Sequence, residues 1–146
     1  MLEDAKNYLR QEQIPFNEEI EVGAMIEVPA AVMLVDELAS LCDFLAIGTN
    51  DLSQYMLAIS RDAPSTLRAD LPHPALLRAL SHISSVADRH GIDVCLCGEW
   101  ASEPEAIGLL LETGLRELSV SPRLAPAVRT TIARLSLRPN DVTSKP

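Results

Sequence analysis

Residues that could carry out chemistry recur at the ends of short apolar runs in this sequence. Each of four runs is followed or closed by one: Glu27 after 22–26, Asn50 and Asp51 after 44–47, Cys97 at the end of 92–97, and Ser119 and Ser121 around the end of 115–120. If the runs are parallel strands, their C-terminal ends meet at one edge of a sheet, where loops and helix N-termini converge on ligands. The pattern therefore predicts a ligand site at that edge.

The two carboxylates suggest a metal. Glu27 and Asp51 are 24 positions apart, but neighbouring strands would bring them close. Mg²⁺ in proteins commonly binds one or two carboxylates and completes its shell with substrate oxygens and water. The substrate would then be an anion rich in oxygen, such as a phosphate ester, and Arg61 could clamp it with two parallel hydrogen bonds.

Each of these residues also has a simpler interpretation. Asp51 could cap a helix, Glu27 could be a solvated loop residue, Cys97 could be a small buried apolar side chain, and Arg61 could be a surface charge. Cys95 would lie on the same side of a strand as Cys97 and pack beside it. A zinc site is not indicated there, because such a site needs four ligands and no histidines stand at a matching spacing.

The elements that must position these residues alternate along the chain. The apolar runs do not alternate with polar residues, which is typical of strands covered on both faces in a parallel sheet. Helices are predicted between them and at the ends, over about 1–13, 30–41, 52–59, 75–90, 103–112 and from 123 to 135. One residue among 49–51 is expected to cap the helix over 52–59, and Gly91 to end the helix over 75–90. The resulting α/β order allows either an open doubly wound sheet or part of a (β/α)8 barrel.

Composition narrows the class of protein. The chain has 146 residues and a net charge of -9, so its surface does not favour nucleic acid or an anionic membrane. No apolar run reaches the ~18 residues of a membrane span, and no glycine-rich nucleotide loop is present. Three cysteines without a secretory leader predict the cytoplasm.

Three segments carry a family resemblance. The runs 21–30 (EVGAMIEVPA), 43–55 (DFLAIGTNDLSQY) and 95–99 (CLCGE) occur in order and are similar to signatures of enzymes that use phosphoenolpyruvate (PEP). The chain most resembles enzyme I of the bacterial sugar phosphotransferase system and the corresponding part of multiphosphoryl transfer proteins. Ala46 stands where that family usually has serine.

The resemblance implies roles for the residues singled out above. Glu27 and Asp51 would hold Mg²⁺, while Asn50 and Arg61 would contact the phosphate of PEP. Cys97 would be the catalytic acid that protonates the methylene carbon of enolpyruvate and yields pyruvate. An ordinary thiol has a pKa near 8.5, so it holds its proton at neutral pH and can donate it.

The resemblance covers about residues 1–136 and leaves 137–146 as a polar tail. The family barrel has eight βα units and this chain has four, so it resembles the C-terminal half of the PEP-binding TIM barrel. No segment resembles the phosphohistidine domain, which in the family passes phosphate to a phosphocarrier protein, or the upstream arginines. A half-barrel exposes two strand edges and an apolar face, so the chain alone is expected to be inactive and to form a homodimer or require the missing half.

Other assignments stay open. The chain could be a non-catalytic dimerisation or regulatory remnant that retains the edge residues. It could also be a fragment of a pyruvate phosphate dikinase or PEP synthase, or an aldolase-like lyase with a carboxylate-bound metal. The segments 60–62 and 98–104 resemble the dikinase more, while 28–31 and 54–55 resemble enzyme I more.

Overall fold

A sheet of four parallel strands, covered by helices on one face, organises the chain. The computed structural model describes residues 1–59 and 72–135. The strands are β1 (Gly23–Ile26), β2 (Phe44–Gly48), β3 (Asp93–Cys97) and β4 (Glu117–Ser119). The helices are α1 (Leu2–Gln11), α2 (Pro29–Met33), α3 (Val35–Ala39), α4 (Thr49–Leu57), α5 (Pro74–His90), α6 (Pro104–Glu112) and α7 (Ala125–Arg134), with a 3₁₀ helix over Glu99–Ser102.

Strand order decides between the two architectures that the sequence left open. The order across the sheet is β1-β2-β3-β4, and every neighbouring pair is parallel. A doubly wound sheet reverses its order at a switch point, whereas a barrel adds each strand beside the previous one. The four strands therefore form part of a barrel, as predicted, and β1 and β4 are its edges among the described residues.

The hydrophobic core lies between one face of the sheet and the helices. Ile26, Ile47 and Leu96 form one row across three strands, and each is fully buried. Helix α5 packs on this face through Leu80 and Ile83, which are also fully buried. At about 25 cal/mol per Å² of apolar surface removed from water, this layer supplies most of the stabilisation of the fold.

The opposite face of the sheet is open, as predicted for a half-barrel, although the apolar runs alone had indicated strands covered on both faces. Met25 on this face is 49% exposed, whereas its chain neighbour Ile26 is fully buried. The middle row of the face comprises Met25, Ala46, Cys95 and Glu117. In a closed barrel this face would point toward the interior. That position explains why the strands carry apolar residues on both faces, although only one face is buried here.

Helix predictions were confirmed for the longest element and wrong for a shorter one. Helix α5 ends as expected at Gly91, whose φ of 68° is left-handed. The helix expected over 30–41 is instead two short helices, because Leu34 departs from helical geometry with φ −105° and ψ 19°. The break turns Val32 and Val35 into the core and leaves Leu34 53% exposed.

The remaining differences concern ends and loops. The 3₁₀ helix after β3 was not predicted, and β4 is shorter than the expected 115–120. Within residues 1–59 and 72–135, no helix combines the length and apolarity that a bilayer crossing requires. Arg61 and the predicted tail over 137–146 lie outside the described residues.

Candidate functional site

The C-terminal ends of β1, β2 and β3 bring four of the predicted residues to one edge of the sheet. Ile26 pairs with Ile47, so one further step in the same register sets Glu27 beside Gly48. Gly48 pairs in turn with Cys97, and Cys97 with Ser119. Residues in register on neighbouring parallel strands point to the same side, so Glu27, Cys97 and Ser119 project from the open face.

Gly48 allows the side chain of Glu27 to lie close to the end of β2. A Cβ atom at this position would lie 3.0 Å from Oε2 of Glu27 and 3.3 Å from Sδ of Met25. Strands lie about 4.8 Å apart, so the backbones of Glu27 and Cys97 are separated by roughly 10 Å, with no side chain on the strand between them. The carboxylate of Glu27 therefore lies over Gly48, on the strand that separates it from Cys97.

Helix α4 begins directly after Gly48, earlier than predicted. Its N-cap is Gly48 and no side chain caps it, so the expectation that one of residues 49–51 is the cap was wrong. The hydroxyl of Thr49 instead donates to the carbonyl oxygen of Cys97 at 3.0 Å, and Oδ1 of Asn50 accepts from the backbone N–H of Glu99 at 3.2 Å. These side chains connect the start of α4 to the last residue of β3 and to the start of the 3₁₀ helix, respectively.

Asn50 and Asp51 lie in the first turn of α4, above the end of β2. The hydrogen bond to Glu99 uses the oxygen of the Asn50 amide and not its NH₂ group. An anion accepts hydrogen bonds, so the NH₂ group is the part of this side chain that could bind one. Asp51 accepts from Nε2 of Gln54 at 3.2 Å through Oδ1. The uncapped start of α4 also directs backbone N–H groups to this edge, where they favour negative charge.

Gly98 permits the close approach of the β3 end to α4. Its φ of 135° is unfavourable for any residue with a side chain, and a Cβ there would overlap Oγ1 of Thr49 and lie 3.0 Å from Oδ1 of Asn50. In the sequence, Thr49 was considered as a possible cap and Gly98 only as part of segments that carry the family resemblance. Their role in positioning depends on a contact between segments 49 residues apart, for which the sequence offers no local signal.

The donor set at this edge fits Mg²⁺. Glu27 and Asp51 supply carboxylate oxygens, which Mg²⁺ prefers, and a two-carboxylate site leaves positions for substrate and water. Among residues 1–59 and 72–135, no group of three or more histidine, cysteine or acidic side chains converges as a complete metal cage.

The whole described fold falls within a known family. Residues 1–137 match the family model described as PEP-utilising enzyme, PEP-binding domain, and the chain belongs to this family. The resemblance noted in the three sequence segments is thereby confirmed.

Curated relatives support the same family and are much longer. The chain is 41% identical over 138 residues to multiphosphoryl transfer protein 2 of Escherichia coli K12, a match that covers 94% of this chain and 17% of that protein. It is 40% identical to a phosphoenolpyruvate-protein phosphotransferase of Geobacillus stearothermophilus, covering 93% and 24% of the two chains. A phosphoenolpyruvate synthase of Pyrococcus furiosus is 33% identical, with 91% and 16% covered. The chain thus spans between 16% and 24% of the length of these relatives.

Solved structures give the architecture alone. A citrate lyase from Burkholderia xenovorans LB400 superposes with a TM-score of 0.60 at 21% identity, over 89% of this chain and 43% of the lyase. Macrophomate synthase superposes with a TM-score of 0.50 at 23% identity, over 81% and 39%. The likeness to less than half of each larger chain agrees with the strand order, and the fold is a partial barrel.

Proposed function

We propose that the chain is the PEP-binding, pyruvate-forming part of a PEP-protein phosphotransferase of the enzyme I type. Phosphoryl groups would pass from PEP to an enzyme histidine and then to a phosphocarrier protein in the cytoplasm, as part of sugar uptake. The observation that supports this most is the row of Glu27, Gly48 and Cys97, in which a carboxylate and a thiol flank a floor without a side chain. The family match and the relatives near 40% identity agree with it.

Residues of this edge would bind the anion and its metal. Glu27 and Asp51 would hold Mg²⁺, which when bound supplies charge neutralisation for the phosphate. The NH₂ group of Asn50, the N–H groups at the start of α4 and the guanidinium of Arg61 would hold the phosphate oxygens. Phosphoryl transfer depends mainly on positioning and charge neutralisation, so such a set suffices without a covalent role for this chain.

Cys97 would complete the reaction. After the phosphoryl group leaves, its thiol would protonate the methylene carbon of enolpyruvate and form pyruvate. Thr49 would position this thiol, because its hydroxyl binds the carbonyl oxygen of Cys97 itself. The phosphate acceptor would come from a separate phosphohistidine domain, and the upstream barrel half or a second copy would close the open face.

A titration of PEP into the chain tests the binding part of this proposal. Calorimetry with Mg²⁺ should show binding that disappears on chelation of the metal, without turnover. Asp51→Ala should weaken Mg²⁺-dependent binding, whereas Glu112→Ala, an exposed carboxylate at the end of α6 and away from this edge, should not. Binding that is indifferent to Mg²⁺ and to Asp51→Ala would contradict the proposed metal site.

One relative favours a second candidate. The match to a phosphoenolpyruvate synthase covers 91% of this chain, so the parent enzyme could be of the synthase or dikinase type. The same edge residues would then serve PEP and pyruvate, and the two candidates differ in the phosphate acceptor. Assay of a full-length enzyme carrying this segment with a phosphocarrier protein or with nucleotide separates them, and activity with neither would favour a regulatory remnant.

A further inference from the structure

Cys95 is a second thiol on the open face that the proposed function does not use. It lies on β3 two residues before Cys97, and side chains at this spacing in a strand share a face. Both cysteines are half-buried free thiols, and Cys95 pairs in register with Ala46 and Glu117. The two sulfur atoms therefore stand side by side on a surface that helices do not cover.

The surroundings of Cys95 keep its thiol protonated. Burial, followed by the neighbouring Cys97 and Glu117, raises the pKa of Cys95 to about 11. A direct disulfide between the two cysteines is limited by geometry. Two strand steps separate the Cα atoms by roughly 6.6 Å, near the far end of the disulfide range of about 4.4–6.8 Å. Bridging by an inserted atom suits this pair better than a direct S–S bond.

The number of protein ligands limits which kind of atom can bridge the two sulfur atoms. In the described ranges, no third histidine, cysteine or acidic residue joins a metal-binding group with this pair. A soft ion that takes three or four protein ligands is therefore not favoured. A trivalent arsenic atom that already carries one organic group needs two sulfur ligands, which is the number available.

We propose that Cys95 and Cys97 form a dithiol site that captures mono-organic trivalent arsenicals. In the capture step, R–As=O condenses with two S–H groups, so that two As–S bonds form and the oxygen leaves as water with both thiol protons. Arsenic stays trivalent and no oxidant is consumed. The second As–S bond forms within one molecule, which makes the adduct far more stable than one on a single thiol. The site shares Cys97 with the proposed function and would occupy its thiol, but capture requires neither PEP nor the acid role of Cys97.

Phenylarsine oxide added to the intact chain is the direct test. Intact mass should show one phenylarsine oxide less one water per chain, and the reactive thiols should fall from three to one. The adduct should survive a large excess of a monothiol and be removed by 2,3-dimercaptopropanol. Alkylation of the treated wild-type chain should label Cys42 alone, a result that needs no variant to fold.

Matched variants locate the site. Cys95→Ser and Cys97→Ser should each lose resistance to monothiol, while Cys42→Ser should keep it; circular dichroism checks that each variant is folded. An adduct on the wild-type chain that monothiol removes would overturn the proposal. Alkylation of Cys95 or Cys97 in the treated chain, or dependence of the adduct on Cys42, would also overturn it. These outcomes are measured without PEP, so they are distinct from a failure of the proposed function.

Discussion

The two faces of the sheet are built from alternate residues of the same strands, yet they differ in nearly every physical property. On the helix side, Leu96 is fully buried in a layer of branched apolar side chains. On the open side, its chain neighbours Cys95 and Cys97 are half-buried. Cys95 lies between Ala46 and Glu117, and Cys97 lies between Gly48 and Ser119. Within this one strand, the residue on one face stabilises the fold, while the residues on the other face carry thiol groups. Adjacent residues of β3 should therefore respond to substitution in different assays.

The largest effect is expected at the open face. Cys97→Ala in a full-length enzyme carrying this segment should lower PEP turnover by about 10²–10⁴-fold, since that is the usual contribution of a general acid. PEP binding should change little, because the thiol is not among the groups proposed to hold the anion. Steady-state kinetics beside a direct binding measurement checks both, and unchanged turnover would remove Cys97 from the acid role.

A substitution of the preceding residue, Leu96, is expected to change the stability of the fold. Leu96→Ala removes a fully buried side chain from the central layer and should lower the free energy of unfolding by about 2–5 kcal/mol. Urea unfolding of the chain followed by circular dichroism measures this loss. Cys97→Ala in the same assay serves as the control and should cost much less; equal losses would mean that the two faces do not differ as described.

The smallest effect is expected in the outer helical layer. Asp36 on α3 accepts from Arg89 at 2.9 Å and bonds His90 on α5, and these partners, His90 first, hold the pKa of Asp36 below its ordinary value. A carboxyl with a lowered pKa in the folded state contributes stability above its unfolded pKa of about 3.9, and that contribution is lost as pH falls through the folded value.

Unfolding measured at neutral and at acid pH isolates this contribution. Asp36→Asn should be slightly less stable than wild type at neutral pH, and the difference should vanish in acid. The difference should be small because the carboxylate is exposed. A gap that widens as pH falls would contradict the assignment.

Much of the fold could be predicted because its signals are local. Apolar runs located all four strands, and the proline and glycine around residues 74–91 bounded α5 nearly to the residue. The break at Leu34 was not predictable, since no glycine or proline marks it and it arises from packing Val32 and Val35 into one core. The apolar runs alone indicated strands covered on both faces, whereas the half-barrel interpretation predicted the exposed face, because the covering half of a barrel is not among the four units.

The site divides in the same way. The edge positions of Glu27, Asn50, Asp51 and Cys97 followed from their places after apolar runs, while their roles stay predictions. The contacts of Thr49 with Cys97 and of Asn50 with Glu99 were missed, because each joins segments about 50 residues apart. The local rule of helix capping had predicted that one of residues 49–51 caps α4. This was wrong, because the side chains of Thr49 and Asn50 hydrogen-bond Cys97 and Glu99 instead.

The sequential strand order has a consequence for how the chain is made. Because β2 pairs with β1, β3 with β2 and β4 with β3, each strand has its preceding partner already synthesised when it emerges from the ribosome. None of the four described strands has to be inserted between two that have already paired. Phe44 of β2 nevertheless pairs with Asp93 of β3, 49 positions further along the chain, and parallel pairing over such separations is intrinsically slow. Assembly can still proceed in the direction of synthesis, with the most recently added strand always offering the next growing edge.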